Sequence, residues 1–309
     1  MKLLWSWDGG HIFAQDAAAD VHVYDALTFK HLRTLSPPDI YKEMSGDQVP
    51  RPWDHNLHRG SLTLSADGRY LLSNVALPTS LSKHSVGFRH NSICVWTLAT
   101  GSCEAHFLRQ YHDGPVPEAD TYLYATALRQ DTRSPGLEHR AHVVVMCENG
   151  TLLTAAVGSP DGVTTIRPAG FPADLGLISH ALFSSDGMRV LVVKFTVTFL
   201  VLDTLTGATI ASLDSGRYPT LCSGPWLGMN VVLSGDGRVA AIPSQRWMFE
   251  ERPEWWLWRL EDGMPPRKML GLGGTGPASV GRCALSWDGS VAGFAAAGGD
   301  VFFRNVEDS

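Results

Sequence analysis

One short motif, Ser-x-Asp-Gly set between two apolar runs and followed by a further strand-like module, occurs five times in this chain of 309 residues, and a recurring unit of that kind restricts the fold more than any other feature. The copies are Ser6-Trp7-Asp8-Gly9, Ser65-Ala66-Asp67-Gly68, Ser184-Ser185-Asp186-Gly187, Ser234-Gly235-Asp236-Gly237 and Ser286-Trp287-Asp288-Gly289. Asp-Gly between apolar runs predicts a tight hairpin, because the turn needs a positive φ that glycine adopts freely and aspartate tolerates.

A second module follows each first one. Ser92-Ile-Cys-Val-Trp96 runs into Thr100-Gly101, Thr198-Phe-Leu-Val-Leu202 into Thr206-Gly207, and Glu254-Trp-Trp-Leu-Trp258 into Gly263. Asp20-Val-His-Val-Tyr24 and Asp300-Val-Phe-Phe-Arg304 fit the same frame. Most of these runs are β-branched or aromatic and end in a turn, as strands do. A short fourth strand follows in several copies: His31–Leu35, Glu104–Phe107 and Thr209–Leu213.

This pattern resembles WD40 and related propeller repeats, whose blade reads roughly Ser-Pro-Asp-Gly-Arg, then a strand ending Trp-Asp, then Thr-Gly. The Asp203-Thr204 copy is similar to YVTN-type propeller repeats as well. Five copies match, covering most of residues 1–108 and 178–309. Residues 121–168 fit the repeat less well but carry four strand-like runs, Thr121–Gln130, Ala141–Cys147, Thr151–Val157 and Gly162–Pro168. The resemblance therefore implies an all-β chain, one β-propeller domain over residues 1–309, with about six four-stranded blades and seven as the alternative count. A departure accompanies it. Trp96 is followed by Thr97 and Trp258 by Arg259, while Asp25 and Asp203 keep the acid without the tryptophan. The last blade stops after its third strand, which leaves two readings: a three-stranded blade, or a chain that is part of a longer protein.

Composition narrows the partners. Net charge is −6 and no run of Lys or Arg occurs, so nucleic acid is not expected. No apolar stretch reaches about 18 residues, so no membrane helix is expected either. The five cysteines, Cys94, Cys103, Cys147, Cys222 and Cys283, are odd in number and none pairs at CxxC spacing. Reduced thiols and a cytoplasmic or nuclear location follow as expectations.

The strand order puts six long connections, 36–60, 78–91, 108–120, 214–229, 244–253 and 270–281, on one face, and only 130–140 on the other. Long loops on a rigid scaffold are where binding residues concentrate. These loops carry Tyr41, Trp53, His55, His58, Phe88, Arg89, Tyr111, Trp226, Trp247 and Phe249, which are the candidate partner-binding residues. Aromatics and Arg dominate binding hot spots. Trp255 and Trp256 lie in a strand instead and are expected to pack between blades.

Catalytic signatures are missing. His55-x-x-His58 beside Asp54 has metal-ligand types but no helix to align them and no third ligand at fixed spacing. No Gly-x-Ser-x-Gly elbow and no P-loop occurs. Leu270–Gly276 is glycine-rich but lies between β segments, without the helix a phosphate cradle needs. The expectation is a non-enzymatic scaffold with no cofactor and no metal. It would bind a protein or peptide, alone or as a subunit of a larger complex. The alternative is a propeller enzyme acting on a small molecule at the mouth of the central channel.

Overall fold

The computed structural model describes residues 2–16, 20–37, 62–77, 89–108, 123–130, 141–147, 150–157, 164–166, 178–194, 198–214, 231–243, 255–261, 263–269, 280–296 and 301–306. Every regular element among them is a strand, and the strands form six separate antiparallel sheets rather than two stacked layers. The chain divides into two compact units, Met1–Cys147 with Leu153–Thr165, and Glu148–Leu152 with Ile166–Ser309.

The first unit carries three sheets. β1 (Lys2–Trp5), β2 (His11–Gln15), β3 (Val21–Asp25) and β4 (His31–Leu35) pair in chain order. So do β5 (Leu62–Leu64), β6 (Tyr70–Leu77), β7 (Arg89–Thr97) and β8 (Cys103–Leu108). The middle of the chain, which fits the repeat less well, forms β9 (Leu123–Gln130), β10 (Ala141–Cys147), β11 (Leu152–Ala156) and β12 (Thr164–Ile166), again paired consecutively. These are the four runs expected from the sequence. β-branched and apolar residues suffice to write a strand even where the first and second strands are not joined by the Ser-x-Asp-Gly turn.

The second unit holds β13 (Ile178–Phe183), β14 (Arg189–Lys194), β15 (Thr198–Asp203) and β16 (Thr209–Asp214), then β17 (Val232–Leu233), β18 (Val239–Pro243), β19 (Trp255–Arg259) and β20 (Arg267–Lys268). Its last sheet has three strands, β21 (Val280–Leu285), β22 (Val291–Ala296) and β23 (Val301–Asn305).

Each sheet buries one face against the next in its own unit. Phe13, Val21, Val23 and Leu35 of the first sheet meet Leu64, Leu71, Cys94 and Trp96 of the second. Leu72, Ile93 and Val95 on the opposite face of that second sheet meet Leu128, Val143 and Val145. In the second unit Phe199, Val201 and Leu213 pack on Ala240, Ile242 and Trp258. Ala241, Trp255 and Leu257 pack in turn on Ala292 and Phe294. Side chains alternate faces along a strand, so each inner strand is apolar on both sides and reads as a nearly continuous hydrophobic run. A fully buried side chain of this size contributes about 1.5–3 kcal/mol.

The five Ser-x-Asp-Gly motifs that join a first strand to a second are five copies of one turn. Each glycine takes a positive φ, +69 at Gly9 and +71 at Gly289, for example. Its N–H donates to the serine carbonyl at 2.9 to 3.1 Å. The aspartates do not share the positive φ, contrary to the expectation that Asp tolerates it in this turn. Their part is side-chain bonding. In the fourth sheet Ser184 Oγ donates to Asp186 Oδ1 at 2.6 Å, and Asp186 Oδ1 accepts the Met188 N–H at 2.9 Å. Ser184 Oγ then accepts the Arg189 N–H at 2.9 Å. The same set recurs at Ser6, Ser65, Ser234 and Ser286. Serine and aspartate thus satisfy the main-chain donors that the turn leaves outside the ladder.

Candidate functional site

Antiparallel pairing in chain order sends the connection after each second strand and the connection after each fourth strand out of the same end of the sheet. In the five sheets whose first and second strands are joined by Ser-x-Asp-Gly, those turns occupy the other end. At the connection end of the first unit leave residues 36–61 after β4, 78–88 after β6 and 109–122 after β8. In the second unit, residues 215–231 follow β16 and 244–254 follow β18.

Of the ten candidate binding residues, Arg89 is the one within the described residues. It opens β7 directly opposite Leu77, the last residue of β6, and so stands at the foot of the 78–88 connection. Tyr41, Trp53, His55, His58, Phe88, Tyr111, Trp226, Trp247 and Phe249 lie outside the described residues, as do Asp54 and the glycine-rich segment from Gly271 to Gly276.

Trp255 and Trp256 pack as the sequence implies. Trp255 is fully buried, edge-on to Phe294 with ring centroids 6.0 Å apart, and Trp256 lies against the cluster around Trp258.

The opposite end of the sheets carries side chains that the sequence reading passed over. Trp7 Nε1 donates to the Ser65 carbonyl at 2.7 Å, joining the first turn to the second. In the second unit the turns bond through the main chain. Ser185 N–H donates to Gly235 O and Asp236 N–H to Trp287 O, both at 2.9 Å. Trp287 also covers Gly235 so closely that a Cβ there would stand 2.4 Å from its ring. The variable position of the motif is therefore a contact position between neighbouring turns. An aromatic at positions 7 and 287 and a glycine at 235 were the available signal.

The charged groups at this end are held in structural bonds. Arg189 Nη2 meets Glu261 Oε1 at 2.6 Å and its Nη1 donates to Gly237 O at 3.1 Å. The Arg189 hydrogen bond holds the Glu261 carboxyl below its usual range. Asp8 and Asp288 are likewise held low by the hydrogen bonds of their turns, Asp288 to about 2. Burial pushes the Cys283 thiol up to about 12. Where β2, β3 and β4 of the first sheet adjoin, His22 Nε2 lies 3.2 Å from Asp16 Oδ2, while His22 Nδ1 and His31 Nε2 each lie 3.1 Å from Thr34 Oγ1. Among the described residues no three His, Cys, Asp or Glu side chains are grouped to hold a metal ion.

No protein-family model matches the chain, and no curated protein matches it in sequence. Solved structures do. The β-propeller domain of Cps50 (Swd1) from Myceliophteria thermophila aligns over 98% of this chain and 82% of its own, at a TM-score of 0.57 and 14% identity. The WD40 repeats of RRP9 align over 95% of this chain and 72% of their own, at a TM-score of 0.55 and 13% identity. At such identities the likeness is one of fold, and together with the six antiparallel sheets and the repeated Ser-x-Asp-Gly turn it shows the chain to have the fold of a diverged WD40-like β-propeller.

Proposed function

We propose that the chain is a non-catalytic platform that captures a protein or peptide partner on the connection end of its sheets. The observation that supports this most is the asymmetry of the sheets that carry the motif. One end is closed by short turns whose polar groups bond to one another, and the other end carries the long connections. Sheets of buried strands that each hold their long connections at one end are suited to recognition. Tyr41, Trp53, His55, His58, Phe88, Arg89, Tyr111, Trp226, Trp247 and Phe249 supply aromatic and guanidinium anchors of the kind that dominate protein interfaces.

Tagged wild-type chain and a Trp53→Ala, Trp247→Ala double variant test the proposal by co-purification. The variant should lose partner capture while keeping the wild-type melting temperature. Capture of the same partners by both proteins would reject this placement of the site.

A further inference from the structure

The sheet β21–β23 has one strand fewer than the other five, and among the described residues nothing pairs with the outer edge of β23. The direction of its main-chain groups can be read from one hydrogen bond. Val306 N–H donates inward to Ser290 O at 2.7 Å, and the β22–β23 register is uninterrupted. Alternation then turns Phe302 and Arg304 toward β22 and leaves the N–H and C=O of Val301 and Phe303 pointing outward.

The complete sheets show what occupies such an edge. Val306 N–H to Ser290 O corresponds to Thr204 N–H to Met188 O, and to Ala26 N–H to Gly10 O. Val301 and Phe303 therefore hold the positions of Phe199 and Val201 in β15, and of Val21 and Val23 in β3. There Phe199 lies opposite Leu213 and Val21 opposite Leu35 across the third-to-fourth ladder, and both leucines are buried. Val301 and Phe303 are instead 57% and 71% exposed.

The composition of β23 is also that of an inner strand. The outer strands β4 and β20 carry His31, Arg33, Arg267 and Lys268, charged or polar groups that discourage further pairing. β23 begins Val-Phe-Phe, with no lysine or proline. Strands β1 to β20 are all committed to their own sheets.

We propose that the outer edge of β23 is a strand acceptor. It takes one extended segment of a second polypeptide, antiparallel to β23, bonded to the main chain of Val301 and Phe303. An apolar side chain of that segment lies opposite Val301, as Leu213 does opposite Phe199. This is main-chain recognition by sheet extension, and it stands independently of the connection-end platform.

The test uses the 309-residue chain and a synthetic peptide of residues 207–214, the segment that forms β16. Amide hydrogen exchange is read with and without peptide. In the free chain the Val301 and Phe303 amides should exchange fast and those of Phe302 and Arg304 slowly. Peptide at about 1 mM should slow the first two by roughly tenfold. Phe303→Pro removes an outward N–H without breaking the ladder to β22, so it should abolish the protection, whereas Phe303→Ala should keep it. If the proline variant does not fold, a peptide N-methylated at Ala211, the residue opposite Val201 in the β15–β16 ladder, should fail to protect the wild-type chain. Val301 and Phe303 amides already protected without peptide, no slowing at that concentration, or undiminished slowing with the proline variant or the N-methyl peptide would each overturn the proposal.

Discussion

The indole N–H of Trp7 donates to the main-chain carbonyl of Ser65 at 2.7 Å, so the variable residue of one turn closes a bond on the first residue of the next. The ring also covers Gly68, where a Cβ would stand 3.7 Å from Trp7 Cδ1. Trp7→Phe should keep the cover and lose the bond. A single hydrogen bond is worth about 1 kcal/mol net, and this one is only partly shielded from water, so the loss should fall at or below that figure. Trp7→Ala should cost more, because the ring contact goes as well. Urea midpoints of the three proteins give the order, and a phenylalanine variant as unstable as the alanine variant would assign the stability to the bond alone.

Two glycines of the same motif separate conformational strain from crowding. Gly9 has φ +69 and nothing within 4 Å of an added Cβ. Gly289 has φ +71, and its Cβ would stand 2.5 Å from Val239 Cγ2. Gly9→Ala should therefore cost only the left-handed penalty of about 1–2 kcal/mol, less the roughly 0.5–1 kcal/mol by which alanine restricts the unfolded chain. Gly289→Ala should cost that and a further 1–3 kcal/mol or so for overpacking against the neighbouring sheet. Equal denaturation midpoints for the two variants would show that Val239 yields without cost.

The fold was legible largely because glycine at a positive φ leaves a mark in sequence. Gly9, Gly68, Gly187, Gly237 and Gly289 each follow an aspartate between apolar runs, and each is a turn in the structure. The work of the serine was not legible. Its hydroxyl accepts an N–H five residues on, a bond that pattern alone does not announce, and the positive φ was shared with Asp only in expectation. The bonding between turns was hidden for another reason: Trp7 and Ser65 are neighbours only once the sheets have packed. The candidate binding residues were named from loop position and residue type, and strand pairing fixes only where those loops begin and end. Arg89, set opposite Leu77, illustrates this, since pairing places its main chain and the other nine residues lie outside the described strands.

Acid should destabilise the chain through these same turns. Asp288 titrates near 2, below its ordinary 3.8, because the Ser290 N–H, the Ser286 hydroxyl and the Ser290 hydroxyl all donate to its carboxylate. Asp8 and Asp25 are lowered for like reasons. Over the interval between 3.8 and about 2 the unfolded chain holds more protons than the folded one at Asp288. The contribution is thus complete above the upper value and lost as pH falls through the lower. Asp288→Asn keeps an acceptor oxygen without the titration. Its melting temperature should fall less steeply than that of the wild type across this interval, and parallel pH profiles would show that other groups govern the acid limb.

Phe29 stands where two other blades place glycine. Its φ is +56, and its N–H donates to Asp25 O at 2.9 Å. Gly207 (φ +71) donates to Asp203 O at 2.8 Å, and Gly101 (φ +75) to Thr97 O at 2.7 Å. The turn before Phe29 is tied as tightly as its counterpart, since Asp25 Oδ1 accepts from Thr28 N and Asp203 Oδ1 from Thr206 N. The backbone is therefore held left-handed by its neighbours, and Phe29 bears the strain. Such a conformation costs a residue with a Cβ about 1–2 kcal/mol. The ring is 69% exposed and returns little by burial. Phe29→Gly removes the strain but adds freedom to the unfolded chain, worth about 0.5–1 kcal/mol the other way. The net effect should be a stabilisation of up to about 1.5 kcal/mol. Phe29→Ala keeps a Cβ and should gain nothing, and Phe29→Asn should fall between, because asparagine visits this region more readily. Guanidinium midpoints ordered Gly, then Asn, then Ala level with Phe would locate the strain at this one residue. A glycine variant no more stable than wild type would mean that the exposed ring is held by a contact worth as much as the strain it imposes.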